Sequence, residues 1–261
     1  MTTVSTHASV GAKIGIWSGA FSGTWTIARR ELASYLRTPS GWIIIVLFLL
    51  LTSTVFALSA LAPGRPATMR SFFEACGWLL LPLAPAVSMR LIAEEARAGS
   101  LETLMTSPLG SMALTLGKLL GACLFLLVMV LPTLVLPAVL WTLSDPAPDV
   151  GPIIAGYFSL LLLGLLYLSV GLVASAATTN ATLAFIATLF LVLTLLLMGT
   201  LGRQLPAPWQ QLCFAIALPP RLNDFAKGVI DTRHIVYFVS LSALCWTFAA
   251  SLLGWKRWRE R

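Results

Sequence analysis

The sequence predicts an all-α membrane protein with six transmembrane helices, and three observations support this fold class. First, 58% of the 261 residues are hydrophobic and only 10% are charged, whereas a soluble domain carries roughly a quarter charged residues. Second, the apolar residues form six stretches of the length needed to cross about 30 Å of hydrocarbon. Third, little chain remains outside these stretches for a separate soluble domain.

The N-terminal residues 1–23 are rich in Ser, Thr, Gly and Ala, and glycines interrupt their apolar positions. A continuous apolar core of the signal-peptide kind is therefore not formed. We expect a flexible tail here and no cleaved signal peptide. Residues 24–261 should then form a single transmembrane domain.

A short amphipathic helix is predicted between this tail and the first span. Arg29, Arg30, Glu31 and Arg37 lie largely on one side of it, and aromatic and apolar residues recur on the other. Such a helix suits the headgroup region of a bilayer, and an ordinary surface helix is the alternative. Pro39 should end the helix, because the residue before a proline disfavours the α conformation.

The apolar stretches predict six spans. The second and third spans contain two prolines each. Since an internal proline removes a helical hydrogen bond, both spans should be kinked. The connection before the last span is much longer than the usual four to six or so residues, and we expect an external amphipathic segment there. The predicted spans cover about residues 42–62, 72–92, 119–143, 153–176, 181–201 and 235–255.

The distribution of Lys and Arg predicts the orientation of the chain. With the N-terminus inside, eleven of the 17 basic residues lie on that side and six on the other. Because cytoplasmic loops are enriched in Lys and Arg, both termini are predicted to be cytoplasmic. The loop between spans two and three then lies in the cytoplasm as well.

Several functional classes are disfavoured by the residues present. No predicted span has an ionisable residue in its middle, which argues against an intramembrane enzyme or ion-coupled carrier. Gly117 and Lys118 resemble the end of a P-loop, but Met112 and Leu119 occupy the positions of its first glycine and its hydroxyl residue. We therefore expect no enzyme activity and no cofactor bound by this chain.

Metal and nucleic-acid binding are disfavoured too. The four cysteines are far apart in the sequence, so neither a metal site nor a disulfide framework is predicted. The net charge of +7 arises from basic residues clustered at span ends. That placement is typical of membrane topology rather than of a nucleic-acid surface.

The loop between spans two and three is the most distinctive part of the sequence. Gly99 can end the helix that emerges from span two, and Ser100 can cap a short helix after it. Acidic flanks and an apolar edge suit docking to a soluble partner, and a solvated loop that only fixes topology is the alternative. The candidate contact residues are Glu94, Glu95, Arg97, Gly99, Leu101, Glu102 and Leu104.

Residues 91–118 carry an EE-x-R-x-G-S-L-E-x-L-x-x-S-P pattern with GK at the next span, and this pattern resembles the permease subunits of type-2 ABC transporters. An A-R-R-E-L helix before the first span and the segment 225–231 before the last extend the resemblance over nearly the whole chain. The latter segment and residues 151–157 (GPIIAGY) make the chain most similar to the gliding-motility-associated branch of this family.

The resemblance implies a permease subunit of an ATP-driven exporter in a bacterial-type inner membrane. The loop would bear a coupling helix that contacts a separate ABC ATPase subunit, and that subunit would bind ATP and magnesium. A second permease copy, or a related permease, would complete the path in the lipid bilayer, with spans two and five lining it. A non-transporting membrane anchor or mechanotransmitter driven by the same kind of ATPase is the alternative.

The resemblance also implies an external gate in the segment before the last span. Phe225, Gly228 and Asp231 are its candidate residues. An amphipathic cap that only packs on the spans is the alternative for this segment.

Overall fold

The structure is a computed structural model that describes residues 23–61, 68–99, 110–144, 148–204 and 206–259. All regular secondary structure in these ranges is helical. Six of the helical segments are long and apolar enough to cross a membrane. The predicted all-α, six-span fold class is therefore confirmed.

The described chain contains six long helical segments, and shorter helices precede or connect them. Two 3₁₀ turns, Leu131–Leu134 and Gly202–Gln204, lie among the α-helices. In chain order the helices are α1 (23–37), α2 (Pro39–Ser59), α3 (Arg70–Ser88), α4 (Ala93–Arg97), α5 (Ser111–Val130), α6 (Val135–Leu143), α7 (Val150–Ala177), α8 (Ala181–Leu201), α9 (Ala207–Ile216), α10 (Pro219–Ala226) and α11 (Thr232–Arg259).

The break between α1 and α2 falls where the sequence predicts it. Thr38 has an extended backbone and Pro39 occupies the first turn of α2. The chain turns so tightly here that a Cβ atom at Gly41 would overlap the carbonyl oxygen of Tyr35. A glycine is therefore required where α2 leaves α1.

The second and third spans differ from the predicted bounds at the loop that joins them. Helix α3 ends at Ser88, and a bend over residues 89–92 separates it from α4. The third span begins at Ser111, well before the predicted residue 119, and a 3₁₀ turn containing Pro132 interrupts it. The early start places Lys118 inside a helix rather than before it. We call residues 89–110 the hairpin, and the end of the bundle that carries them the hairpin end.

Helix α7 is the central element of the described bundle, and α8 and α11 are largely exposed. Three glycines of α7 are in close contact with neighbouring helices. A Cβ atom at Gly156, Gly164 or Gly171 would overlap a side chain of α3 or α5. Small residues of this kind let membrane helices approach closely, which explains how α3 and α5 pack on α7.

Candidate functional site

Lys118 of α5 joins three separate elements at the hairpin end. Its side chain is only 2% exposed, and its Nζ lies 2.6 Å from Oε1 of Glu31 and 2.8 Å from Oε1 of Glu95. Glu31 belongs to α1 and Glu95 to α4. An ammonium group removed from water needs such partners, because a buried charge without a counter-charge is strongly disfavoured. We call Glu31, Glu95 and Lys118 the charge triad.

A second cation lies at the edge of the charge triad. Nη2 of Arg30 is 3.9 Å from Oε1 of Glu95, and the Arg30 side chain is 70% exposed. At this distance and exposure the contact contributes little. Lys118 is therefore much closer to Glu95 than Arg30 is, and it pairs with Glu31 as well.

Helix α1 reaches Lys118 because two glycines of α5 leave room for its backbone. Gly117 and Gly121 flank Lys118 in a G-x-x-x-G arrangement. A Cβ atom at Gly117 would lie 2.8 Å from the Ile27 side chain, and one at Gly121 would lie 3.0 Å from the Ala28 carbonyl oxygen. The spacing is a known helix-packing signal; it indicates that some helix packs closely on α5 here, but it does not identify α1 as that helix.

The four charged residues predicted on α1 do not share one environment. Arg29, Arg30 and Arg37 are exposed. Glu31 turns inward, with a side chain that is 14% exposed, because it pairs with Lys118. The position of α1 at a membrane surface stays a prediction.

Tyr35 attaches α1 to the second span. Its hydroxyl donates a hydrogen bond to the carbonyl oxygen of Val87 at 2.9 Å, near the end of α3. Burial raises the pKa of Tyr35, and the nearby Glu31 acts in the same direction. The hydroxyl therefore keeps its proton and remains a donor.

Ser175, near the end of α7, holds the bend between α3 and α4. Its Oγ accepts hydrogen bonds from the backbone N–H groups of Ile92 and Ala93, at 3.0 and 2.9 Å, and donates to the carbonyl oxygen of Met89 at 3.2 Å. Helix α4 has no side-chain cap of its own. The serine therefore supplies the cap from a distant part of the chain, a role that local sequence patterns do not reveal.

Arg90 lies between the bend and the first span. Its Nε is 3.2 Å from Oε1 of Glu94, and its Nη1 donates to Oγ of Ser40 at 2.9 Å. The start of α2 is thereby connected to the hairpin. The guanidinium stays partly exposed, as expected for a long basic side chain at the end of a span.

The predicted coupling residues divide between an inner and an outer face. Glu95 lies inside, whereas Glu94, Arg97 and Gly99 are exposed. Gly99 has a φ of 70°, so it ends α4 in the left-handed conformation as predicted. Three further candidates, Leu101, Glu102 and Leu104, lie outside the described residues.

The segment before the last span is packed onto the bundle at its opposite end. Phe225 is fully buried, with its ring 5.8 Å from that of His234 and 6.5 Å from that of Phe238. Gly228 has a φ of 84° and approaches Pro152 closely. Oδ1 of Asp231 accepts a hydrogen bond at 2.8 Å from the N–H of Arg233, in the first turn of α11.

These three candidate gate residues thus have structural contacts of their own. Phe225 anchors the segment, Gly228 provides a turn and Asp231 caps the last span. Such contacts are those expected of the amphipathic cap, and a gate would need them as well. A gating role for the segment stays a prediction.

Comparison with known proteins identifies a family. Residues 66–241 match a family described as "ABC-2 family transporter protein". A segment of 103 residues is 38% identical to the "Probable ABC transporter permease protein NosY" of Pseudomonas aeruginosa, covering 37% of this chain and 38% of that protein. A segment of 113 residues is 34% identical to the protein of the same description from Stutzerimonas stutzeri, covering 41% of each. The chain therefore matches about two fifths of the length of these curated relatives.

Proposed function

The chain belongs to the ABC-2 transporter family, and from this premise we propose that it is the permease subunit of an ATP-driven exporter. It forms part of the membrane path and couples that path to a separate ABC ATPase subunit. ATP and magnesium are bound by that partner, because the chain offers no complete P-loop of its own.

The charge triad is the observation that carries this proposal. An ATPase that displaces the hairpin pulls on α4, and Glu95 transmits this displacement to Lys118 of α5 and, through Lys118, to Glu31 of α1. The bend above α4 is fixed to α7 by Ser175. A movement of the hairpin is therefore passed to several spans at once.

We place both termini of the transmembrane domain in the cytoplasm of a bacterial-type inner membrane. Contacts in the described part of the chain support the same side of the membrane for both termini. Helix α1 lies at the hairpin end through Glu31, and Nζ of Lys256, near the end of α11, donates to the carbonyl oxygen of Ala176 at 2.8 Å. The excess of basic residues on this side favours the cytoplasm.

A second copy, or a related permease, pairs with this chain in the proposed complex; a second copy would give a dimer of C2 symmetry, the commonest symmetry of protein homo-oligomers. Helix α8 supports this pairing because few of its residues are buried within the chain. Its exposed apolar side chains include Leu183, Ile186, Phe190, Leu191, Leu197 and Leu201.

The outer face of α4 provides the test of ATPase docking. Arg97→Glu reverses an exposed charge without altering the charge triad. We expect the affinity of the purified permease for its ABC ATPase to fall by about tenfold or more, since an ATPase surface that is complementary to the Arg97 cation would repel a carboxylate at this position. Arg233→Glu, an exposed site at the opposite end of the bundle, is the matched control. Equal affinities for the two variants would argue against docking at α4.

A further inference from the structure

A cavity of about 240 Å³ lies within this chain, between spans two, four and five and helix α10. One face of α7 forms its floor, where Ser159, Leu163 and Tyr167 recur at intervals of four residues and are buried. These positions extend over about 12 Å of helix. Glu74 and Trp78 of α3 form an exposed rim. The floor and the rim together make an elongated pocket that is open at one side.

Tyr167 is the unusual residue of the cavity floor. It is fully buried, and its hydroxyl has no hydrogen-bond partner among the described residues. Buried hydroxyls are nearly always paired, and Tyr157 of the same helix follows that rule by donating to the carbonyl oxygen of Thr133 at 2.9 Å. Because Tyr167 lines the cavity, a polar atom bound there would supply the missing partner once the ring turns its hydroxyl toward that atom.

The remaining wall is mostly apolar, with Phe73, Leu160 and Leu196 among its residues. Glu74 is the one charged side chain among the described residues of the wall, and its Oε1 lies 3.4 Å from Nε of Arg70. An anionic ligand would meet this carboxylate at the rim. A pure hydrocarbon chain would leave the Tyr167 hydroxyl without a partner.

We propose that this cavity binds a small neutral amphipathic molecule with an alkyl or aromatic body and one hydroxyl group, which forms a hydrogen bond with Tyr167. An apolar cavity of about 150 Å³ already holds benzene, so a medium-chain alcohol fits here. The site goes beyond the proposed coupling function: it lies between spans two and five, which are expected to line the membrane path, and Phe225 of the external segment is among its lining residues. None of the residues that line the cavity belongs to the hairpin or to the charge triad.

The probe for this site is octanol that carries a photoreactive diazirine. The full chain in lipid nanodiscs should be labelled saturably on peptides of α3, α7 and α10, and unlabelled octanol should compete. Tyr167→Phe keeps the shape of the ring and removes only the hydroxyl. We expect its apparent affinity for the probe to be about fivefold lower, the cost of one hydrogen bond.

A second pair of variants tests whether the probe occupies the cavity itself. A Cβ atom at Gly77 would make only an ordinary contact of 3.5 Å with Leu163, so Gly77→Val should fold and fill part of the space. Its saturable labelling should be lost. Gly254→Val, on α11 and away from the cavity, should bind as the parent does, because a Cβ there meets Ser111 only at 3.6 Å.

Two results would overturn the proposal. One is labelling that does not saturate, as expected for a probe that only dissolves in the bilayer. The other is saturable labelling of equal affinity in the parent and in Tyr167→Phe. If Gly77→Val does not fold, the conservative Tyr167→Phe variant still decides between these results.

Discussion

At the residue scale, Lys118 shows why a charged side chain can lie within an apolar helix. In the sequence, a lysine at the edge of an apolar stretch predicts the start of a span, and the predicted third span begins just after it. The structure begins this helix at Ser111 instead, because carboxylates from two distant elements neutralise the ammonium group. No local pattern relates Glu31, Glu95 and Lys118, so sequence analysis alone could not have assembled them.

The stability of the folded chain should depend on this lysine. Lys118→Met leaves the largely buried carboxylates of Glu31 and Glu95 without this cation, and we expect a loss of about 3 kcal/mol in the free energy of unfolding. Thermal unfolding of the purified protein measures this loss. Lys227→Met, at an exposed position of the opposite end, should change little.

A triple variant tests whether the unpaired carboxylates cause the loss of stability in Lys118→Met. Combining Lys118→Met with Glu31→Gln and Glu95→Gln removes the uncompensated charges, so most of the lost stability should return. A triple variant as unstable as Lys118→Met alone would show that packing rather than charge is responsible.

Ser175 is the second residue whose role depends on contacts far away in the sequence. Ser175→Ala leaves the N–H groups of Ile92 and Ala93 without their acceptor, at an expected cost of about 1 to 3 kcal/mol. Hydrogen exchange over residues 89–97 should accelerate. Ser251→Ala, which removes an exposed hydroxyl from α11, is the control. Unchanged exchange in Ser175→Ala would contradict its capping role.

At the scale of elements, the sequence predicts what depends on neighbouring residues and misses what depends on distant ones. The predicted bounds of span five, 181–201, agree with α8 because Asn180 caps it locally. The break before Pro39 is also local and is confirmed. The bend over residues 89–92 is not determined locally, because it depends on hydrogen bonds with the Ser175 hydroxyl of α7.

The contact between α1 and α5 belongs to this scale and can be tested by one substitution. Gly121→Val would force the backbone of α1 away from α5, since even a Cβ atom there overlaps Glu31. We expect faster hydrogen exchange throughout residues 23–37, with the spans still inserted. Gly254→Val adds the same side chain where there is more space. Equal protection of α1 in both variants would mean that the helix is held by other contacts.

At the scale of the whole molecule, the described bundle has two ends with different contacts. The hairpin end contains the charge triad, the Ser175 cap and the contact between Lys256 and α7. The opposite end contains the packed segment around Phe225. The family and the number of spans could be predicted from the sequence, because they depend on composition and on a local motif. The connection of the hairpin to α1, α5 and α7 required the three-dimensional structure.

The central claim is that the charge triad transmits the movement of an ATPase into the membrane. Glu31→Gln tests it most directly, because this variant keeps the shape of the side chain and leaves the pair between Glu95 and Lys118 in place. The measurement is ATP hydrolysis by the reconstituted complex of permease and ABC ATPase, compared with Asp149→Asn, which neutralises an exposed carboxylate at the opposite end and keeps the oxygen that accepts from Gly151.

We predict that Glu31→Gln assembles normally and lowers the permease-dependent ATP hydrolysis by about fivefold or more, within the usual range of coupling free energies. Asp149→Asn should retain the parent activity. Equal ATP hydrolysis by the two variants, at equal assembly, would contradict the coupling role of the charge triad.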